Sequence, residues 1–543
     1  MSVFSPAPIP RPALLFIFGT VWASMISFGL VGLYPGDYNI DPHIAINFAR
    51  YFIHRADHFG PLVDMYTHGF VHPLIYLPFV YLMEILRIPY SMQDCIAIGI
   101  VYGLTMGLIG VSTYFVSRYF HGKFLSSLIS LVVIASILVH PSNIDFRSPN
   151  AELIGSVFLL FFWCILLYRD RMTHATLMAV FIGVLVFHLK YQLLPQLFCL
   201  SFISGLKLRR ATYLALLIPL ISLLVDMVAY RFANGYGFFG RISLLTNDYV
   251  MTSNPEFSRG SKTYTAIFAN ILTYYPLFLV AWSIMLHRIL KLFNKSGLRS
   301  ALSLPELRQS LLLSVVTIAS ILLPGKNYPH YYILLLPTTV YVLNKALASE
   351  AYLPMNRQLS SHSNPLAGKP KPRVILISIL PFLFFSLMLC GVSFVTKGNS
   401  NFDAPSLMTK SERSMGAHFY GWGSGTVYGS YGTHPVNPSL DLALMSTKFS
   451  MNLDPYNRMM ANSDQRPEWI IDVTTVGRNE ILGKLIKPIE ELKGLPGSEW
   501  ADSYQLVREN SSGRLYKLSG SKFTLPRGVS ASGPGPTDAA TTD

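Results

Sequence analysis

The chain has 543 residues, of which 51% are apolar and 13% charged, against roughly 25% charged in an ordinary soluble domain. Its mean hydropathy of +0.39 excludes both a soluble enzyme and a disordered chain, which has few apolar residues and many charges. Of the net charge of +14, none comes from residue 396 onward, where 15 Lys/Arg balance 15 Asp/Glu. Residues 1–395 hold the other 28 basic and 14 acidic side chains, the usual result of Lys and Arg retained in cytoplasmic loops, with no need for nucleic acid as a partner.

Runs of about 20 apolar residues predict membrane-spanning helices. In chain order these are 12–34, 95–117, 124–140, 151–168, 174–189, 191–206, 211–231, 264–286, 309–323, 331–348 and 374–395. The first lacks a following small-residue cleavage site and reads as a retained helix rather than a signal peptide. A further stretch, 70–87, begins near His72-Pro73 and contains Glu84. Charge placement decides its role. If it does not cross and the N-terminus is cytoplasmic, the dense basic clusters Lys207/Arg209/Arg210, Lys291/Lys295/Arg299 and Lys369/Lys371/Arg373 all fall inside. If it crosses, they move outside. The expectation is therefore an all-α polytopic membrane domain of eleven transmembrane helices over 1–395. Its outer loop, 35–94, carries a juxtamembrane helix at 70–87.

Residues 396–524 then form a small extracytoplasmic α/β or α+β domain. WIIDVTT (469–475) alternates like a strand, 478–494 has helical spacing interrupted by Pro488, and YQLV and RLYKL read as strands. The end, 525–543, is low-complexity and expected to be disordered. Cys95, Cys164, Cys199 and Cys390 lie in or beside apolar segments, with no CxxC or Cys/His metal spacing. No internal repeat is evident, which disfavours an inverted-repeat transporter.

Ionisable groups at membrane depth are costly, so their positions carry information. On this topology most lie at the outer face: Asp37, Asp41, His43 and Arg50, then Asp64, His68 and His72, then His140, Asp145, Arg147 and Glu152. Lys190 interrupts a long apolar stretch between two spans, and PGKNYPHYY supplies Lys326, His330 and Tyr331. Carboxylates can act as a general base or hold a divalent cation, and Lys, Arg and His can neutralise phosphate. Outer loops are polar in any membrane protein, GDYN around Asp37 also suits a turn, and a lysine such as Lys190 can simply snorkel at a helix end. The set as a whole suits a reaction on a phosphorylated lipid at the outer interface.

These residues resemble a family. DPHIAINFAR, with Asp41 nine residues before Arg50, is similar to the first outer loop of GT-C glycosyltransferases of the protein O-mannosyltransferase and aminoarabinose-transferase type (glycosyltransferase family 39-like). Pro42 stands where the family carries a second acidic residue. VHPLIYLPF resembles the family's juxtamembrane start, with His72 where Lys is frequent, and FRSPNAELIGSVFLLFF its second outer turn, with Glu152 as the match and Arg147 nearby. VFIGVLVFHLKYQLLPQ resembles a glycine-containing helix that ends in a lysine, here Lys190. PGKNYPHYYILLLP resembles a late turn-and-helix motif, and FYGWGSGTVYGSYGTHP and PEWIIDV the outer C-terminal region of bacterial members.

The resemblance implies a GT-C-like fold, and the compact loops suggest a bacterial inner membrane. It implies a polyprenyl-phosphate-linked sugar as donor, a lipid, glycan or protein acceptor, and inverting transfer on the non-cytoplasmic (periplasmic) face. Asp41 would be the base. His72, Arg147, Lys190, Lys326, His330 and Tyr331 would bind the donor phosphate, and Asp37 and Glu152 would support Asp41 or hold a divalent metal, which the chemistry does not demand. The alternatives are a lipid-linked oligosaccharide polymerase or ligase, for which the outer loop 232–263 offers Arg241, Arg259 and Lys262, or a transporter.

Overall fold

The computed structural model describes residues 71–88, 90–138, 149–232, 261–297, 303–322 and 329–348 of the apolar part. In the C-terminal part it describes 419–422, 468–472, 488–510 and 513–519, with isolated positions elsewhere. The expected spans 12–34 and 374–395 lie outside these residues.

Among the described residues, eleven α-helices build the apolar part. α1 is Val71–Ile85, α2 Tyr90–Phe120, α3 Lys123–Leu138, α4 Ala151–Leu167, α5 Ala175–Leu189 and α6 Leu194–Ile203. α7 is Leu208–Phe232, α8 Ser261–Tyr274, α9 Pro276–Ser296, α10 Pro305–Leu322 and α11 Leu335–Leu347. Among the described residues, four segments, Ile96–Phe120, Leu208–Val228, Pro276–Asn294 and Pro305–Leu322, are long and apolar enough to cross a membrane. α1, α3, α4, α5 and α6 are apolar but shorter; the 17 residues of α4 extend only about 25 Å at 1.5 Å per residue.

Three expected spans are not continuous α-helices. The run 191–206 opens as a 3-10 turn, Tyr191–Leu193, and becomes α-helical only at Leu194. The run 264–286 is divided between α8 and α9 at Tyr275, whose backbone leaves the helix (φ −146, ψ 62). Pro276 is the physical cause, because its ring disfavours helical geometry at the residue before it and its nitrogen cannot donate. The run 331–348 opens as a 3-10 turn, Pro329–Leu334, and becomes α-helical only at Leu335.

The helices sort their polar ends. α4 starts beside Glu152 and leads into the 3-10 turn Arg169–Arg171, and α5 returns to end at its cap residue Lys190. At the far end of this hairpin Arg169 donates to the carbonyls of Leu166 and Ser204 at 2.9 Å, and Tyr168 donates to Phe115 O at 3.0 Å. Arg288 of α9 donates to the Lys345 carbonyl of α11, and the Lys345 ammonium lies 4.7 Å from the Phe120 ring centroid. The basic segments near Arg118, Arg169, Lys207 and Arg288 thus gather at one end of the bundle, and Glu152, Lys190 and His330 at the other. Between them Trp163 of α4 is 1% exposed, its ring 5.4 Å from Tyr341 of α11 and 6.4 Å from Phe120 of α2. Close approach of α2 and α3 uses Gly110, whose carbonyl accepts from Ser130 Oγ at 2.8 Å; a Cβ there would stand 2.9 Å from Ile134 Cδ1.

His121, in the turn between α2 and α3, is buried at the basic end. Burial lowers its pKa to about 4, with hydrogen bonds to Asn344 opposing the shift. Unfolded, the same imidazole titrates near 6.5. Its neutral form therefore favours the fold above about pH 6.5, and that contribution, about 3 kcal/mol at most, is lost as pH falls from 6.5 towards 4. A His121→Gln variant is expected to show a flatter stability profile than wild type between pH 6.5 and 4 in thermal melts, and parallel profiles would count against this.

The C-terminal part contains a four-stranded sheet in the order β1-β2-β4-β3, with β1 Phe419–Trp422, β2 Trp469–Asp472, β3 Tyr504–Asn510 and β4 Gly513–Leu518. β1 and β2 are parallel; β4 is antiparallel to both its neighbours. All four residues of β2 are buried, so this strand is covered on both faces rather than alternating. The Asp472 carboxylate at its end accepts from Ile489 N at 2.9 Å. Of the helix expected over 478–494, the described part is the single turn Ile489–Leu492.

Candidate functional site

The site begins with the start of α4. Asn150 caps it: its backbone is extended (φ −73, ψ 169), and its side chain accepts from Leu153 N at 2.8 Å. One residue earlier the Pro149 carbonyl accepts from Tyr76 Oη at 2.8 Å and from His72 Nε2 at 3.2 Å. His72 and Tyr76 stand one turn apart on α1, rings edge to face at 5.5 Å, so α1 fixes where α4 begins. His72 lies fully buried beside the carbonyl it holds.

Glu152 follows in the first turn of α4, completely buried. A carboxylate there gains from the partial positive charge of the helix N-terminus, yet burying it still demands a cation. One segment delivers a lysine ammonium and another places an imidazole nearby. Lys190 terminates α5: its N–H still donates to Val186 O at 2.9 Å, but its own backbone is extended (φ −157, ψ 99), which turns the side chain out of the helix line. The ammonium pairs with Glu152 Oε1 and stands 5.0 Å from the Tyr331 ring centroid, a cation–π distance. His330 comes from the 3-10 turn before α11. Its Nε2 is 3.8 Å from Glu152 Oε1, and its ring meets Tyr331 edge to face at 4.7 Å. Ser156 Oγ donates to Ile333 O at 3.4 Å, fastening that turn to α4.

Gly155 makes the approach possible. A Cβ there would meet Leu193 Cδ1 at 2.7 Å and the Cβ atoms of Leu189 and Lys190 at 3.7 and 3.8 Å. The end of α5 therefore lies directly on α4, with the lysine stem over the glycine.

A second buried ionisable pair joins the last turn of α5 to α7. His188 Nδ1 is 3.4 Å from Asp226 Oδ1 of α7, and both side chains are at most 2% exposed. Sequence reasoning passed over this pair because it looked for charge in loops. The signal was an aspartate inside the apolar run 211–231 and a histidine two residues before Lys190, ionisable groups within helices that are otherwise clean. Gln192 and Gln196 are buried nearby in sequence; neither Gln196 side-chain amide atom has a hydrogen-bond partner among the described residues.

Of the nine residues singled out from sequence, the structure brings Glu152, Lys190, His330 and Tyr331 into one cluster, with His72 at the carbonyl that precedes the same helix. Asp37, Asp41, Arg147 and Lys326 lie outside the described residues. Glu152 is engaged by Lys190, and among the described residues no group of three His, Cys, Asp or Glu is placed to hold a metal ion. Chemically, the cluster is a buried acid paired with a lysine whose ammonium also faces an aromatic ring, with an imidazole beside the same carboxylate. The chain matches no protein-family model and no curated protein.

Proposed function

We propose that this protein is a membrane glycosyltransferase that moves a sugar from a polyprenyl-phosphate donor to an acceptor hydroxyl on the non-cytoplasmic face. The observation that carries the proposal is the meeting of Glu152 with Lys190, His330 and Tyr331. Three distant segments supply one buried cluster at the end of the bundle away from the basic loops. Two of them carry Lys190, His330 and Tyr331, which the resemblance assigns to the donor phosphate, and the third carries Glu152, which it assigns to support of Asp41 or a metal. On this reading the donor phosphate takes the Lys190 ammonium, and Glu152 turns to a protonated His330, so the buried acid keeps a counter-ion throughout. As the sugar C1–O bond to phosphate breaks, the leaving phosphate gains charge, and a fixed ammonium stabilises that charge without reorganisation. Asp41 takes the proton of the attacking hydroxyl from the opposite face of the sugar, as inversion requires.

The test is transfer from a panel of radiolabelled polyprenyl-phosphate sugars by the purified full chain in vesicles. Asp41→Asn is expected to reduce transfer by about 10²–10⁴, the range for a lost general base; full activity in that variant removes Asp41 from the role. One observation favours a transporter instead: the His188–Asp226 pair is buried between helices, where ionisable pairs serve proton relays. Uptake of a labelled lipid-linked sugar into proteoliposomes, without any transfer product, would select that reading.

A further inference from the structure

The end of the bundle opposite the Glu152 cluster contains a cavity of about 540 Å³. It lies where the loop after α4, the start of α5 and the start of α7 meet. Its polar walls are Arg169, His174 and Arg210, and its apolar walls include Leu177, Tyr213 and Leu217. We infer that this cavity is a binding site for the headgroup of an anionic phospholipid, whose acyl chains continue along α5 and α7.

Three observations converge on such a ligand. The first is charge. Arg169 spends its guanidinium on the carbonyls of Leu166, Ser204 and Gly205 and closes the loop. The side chains of Arg210 and His174 make no hydrogen bond or ion pair among the described residues and remain able to donate. Lys207 and Arg209 stand beside Arg210 in the chain. The one acid on the wall, Asp170, is 88% exposed and 3.9 Å from Arg169 Nε, so it screens Arg169 rather than Arg210.

The second is the continuation of the cavity into an apolar surface. Leu177 is 68% exposed and Tyr213 57%, and further along the same helices Phe181 and Leu220 are exposed as well. The spanning segment of α7 is only 28% buried within the chain. A soluble anion would use the arginine and leave that surface bare; a two-chain amphiphile covers both.

The third is the seam itself. α5 and α7 touch closely at Gly183, where a Cβ would lie 2.4 Å from Ile218 Cδ1. Towards the starts of the two helices Ala175 and Leu214 are buried, and both also line the cavity. Lysines and arginines of cytoplasmic segments attract anionic lipid in general; here the attraction has a shaped receptor, independent of the glycosyl-transfer proposal.

The test uses the full-length protein extracted from vesicles of equal phosphatidylglycerol and phosphatidylcholine, with bound lipid counted by native mass spectrometry. Wild type is expected to retain phosphatidylglycerol in several-fold excess. Because Arg210 is exposed, Arg210→Gln is expected to fold normally, with an unchanged melting temperature after delipidation, and to cut that excess about fivefold. Leu177→Gln, on the chain-contacting wall, is expected to reduce retention of phosphatidylglycerol without affecting inorganic phosphate. Equal retention of the two lipids, or an unaltered excess in Arg210→Gln, overturns the inference. Displacement of the lipid by millimolar inorganic phosphate overturns it too, since the site would then be a simple anion site.

Discussion

A Lys190→Met variant is expected to lose about 10²–10³ in transfer rate, the usual effect of removing one donor to a developing oxyanion. It is also expected to lose about 3–5 kcal/mol of stability, because Glu152 would remain buried without its strongest counter-ion. These two effects separate in the double variant Glu152→Gln/Lys190→Met. Its side chains keep nearly the volumes of the originals, and both charges are gone. Replacing a whole buried pair with neutral groups is often neutral or stabilising, so denaturation midpoints should return close to wild type. Transfer should not return. A double variant that transfers at the wild-type rate would falsify the phosphate role of Lys190 and leave the pair as a structural clamp between α4 and α5.

Trp163→Ala should be the most damaging change in the middle of the bundle. The indole is 1% exposed and joins three helices through Tyr341 and Phe120. Truncating a buried tryptophan costs about 3–5 kcal/mol. Within lipid the helices have little hydrophobic reason to associate and rely on packing contacts, so the void itself supplies most of that cost. Trp163→Phe retains a ring against both neighbours and should lose less than half as much. Thermal unfolding in the same lipid composition measures both; equal midpoints for Trp163→Ala and wild type would mean that the three helices are held elsewhere.

Much of the cluster was visible in sequence because charge in an apolar context is rare enough to notice. Lys190 interrupts one long apolar stretch, Glu152 opens another, and His330 precedes a third. What the sequence could not supply was pairing. The resemblance implies that Glu152 supports Asp41 or a metal; Asp41 lies outside the described residues, and the pairing with Lys190 was not legible because it depends on how far α5 extends before its backbone turns. Nor was Gly155 legible, since a glycine in an apolar helix reads the same whether or not another segment lies over it. His188 and Asp226 sat within helices that were treated as uniformly apolar. The break at Tyr275 was marked by Pro276 but outweighed by the hydropathy of the run around it. β1 escaped because FYGW lies in a glycine-rich stretch that resembles a family motif more than a strand, and its pairing comes from β2, some fifty residues away in the chain.

The α4–α5 hairpin bears on how the chain enters a bilayer. Its two arms have similar lengths, 17 and 15 residues, so the acid at the start of one and the ammonium at the finish of the other arrive at the same level. Inserted singly, each arm would drag an unbalanced ion through hydrocarbon. Inserted together as one loop-linked unit, they would carry an ion pair already matched, at lower cost than either arm alone.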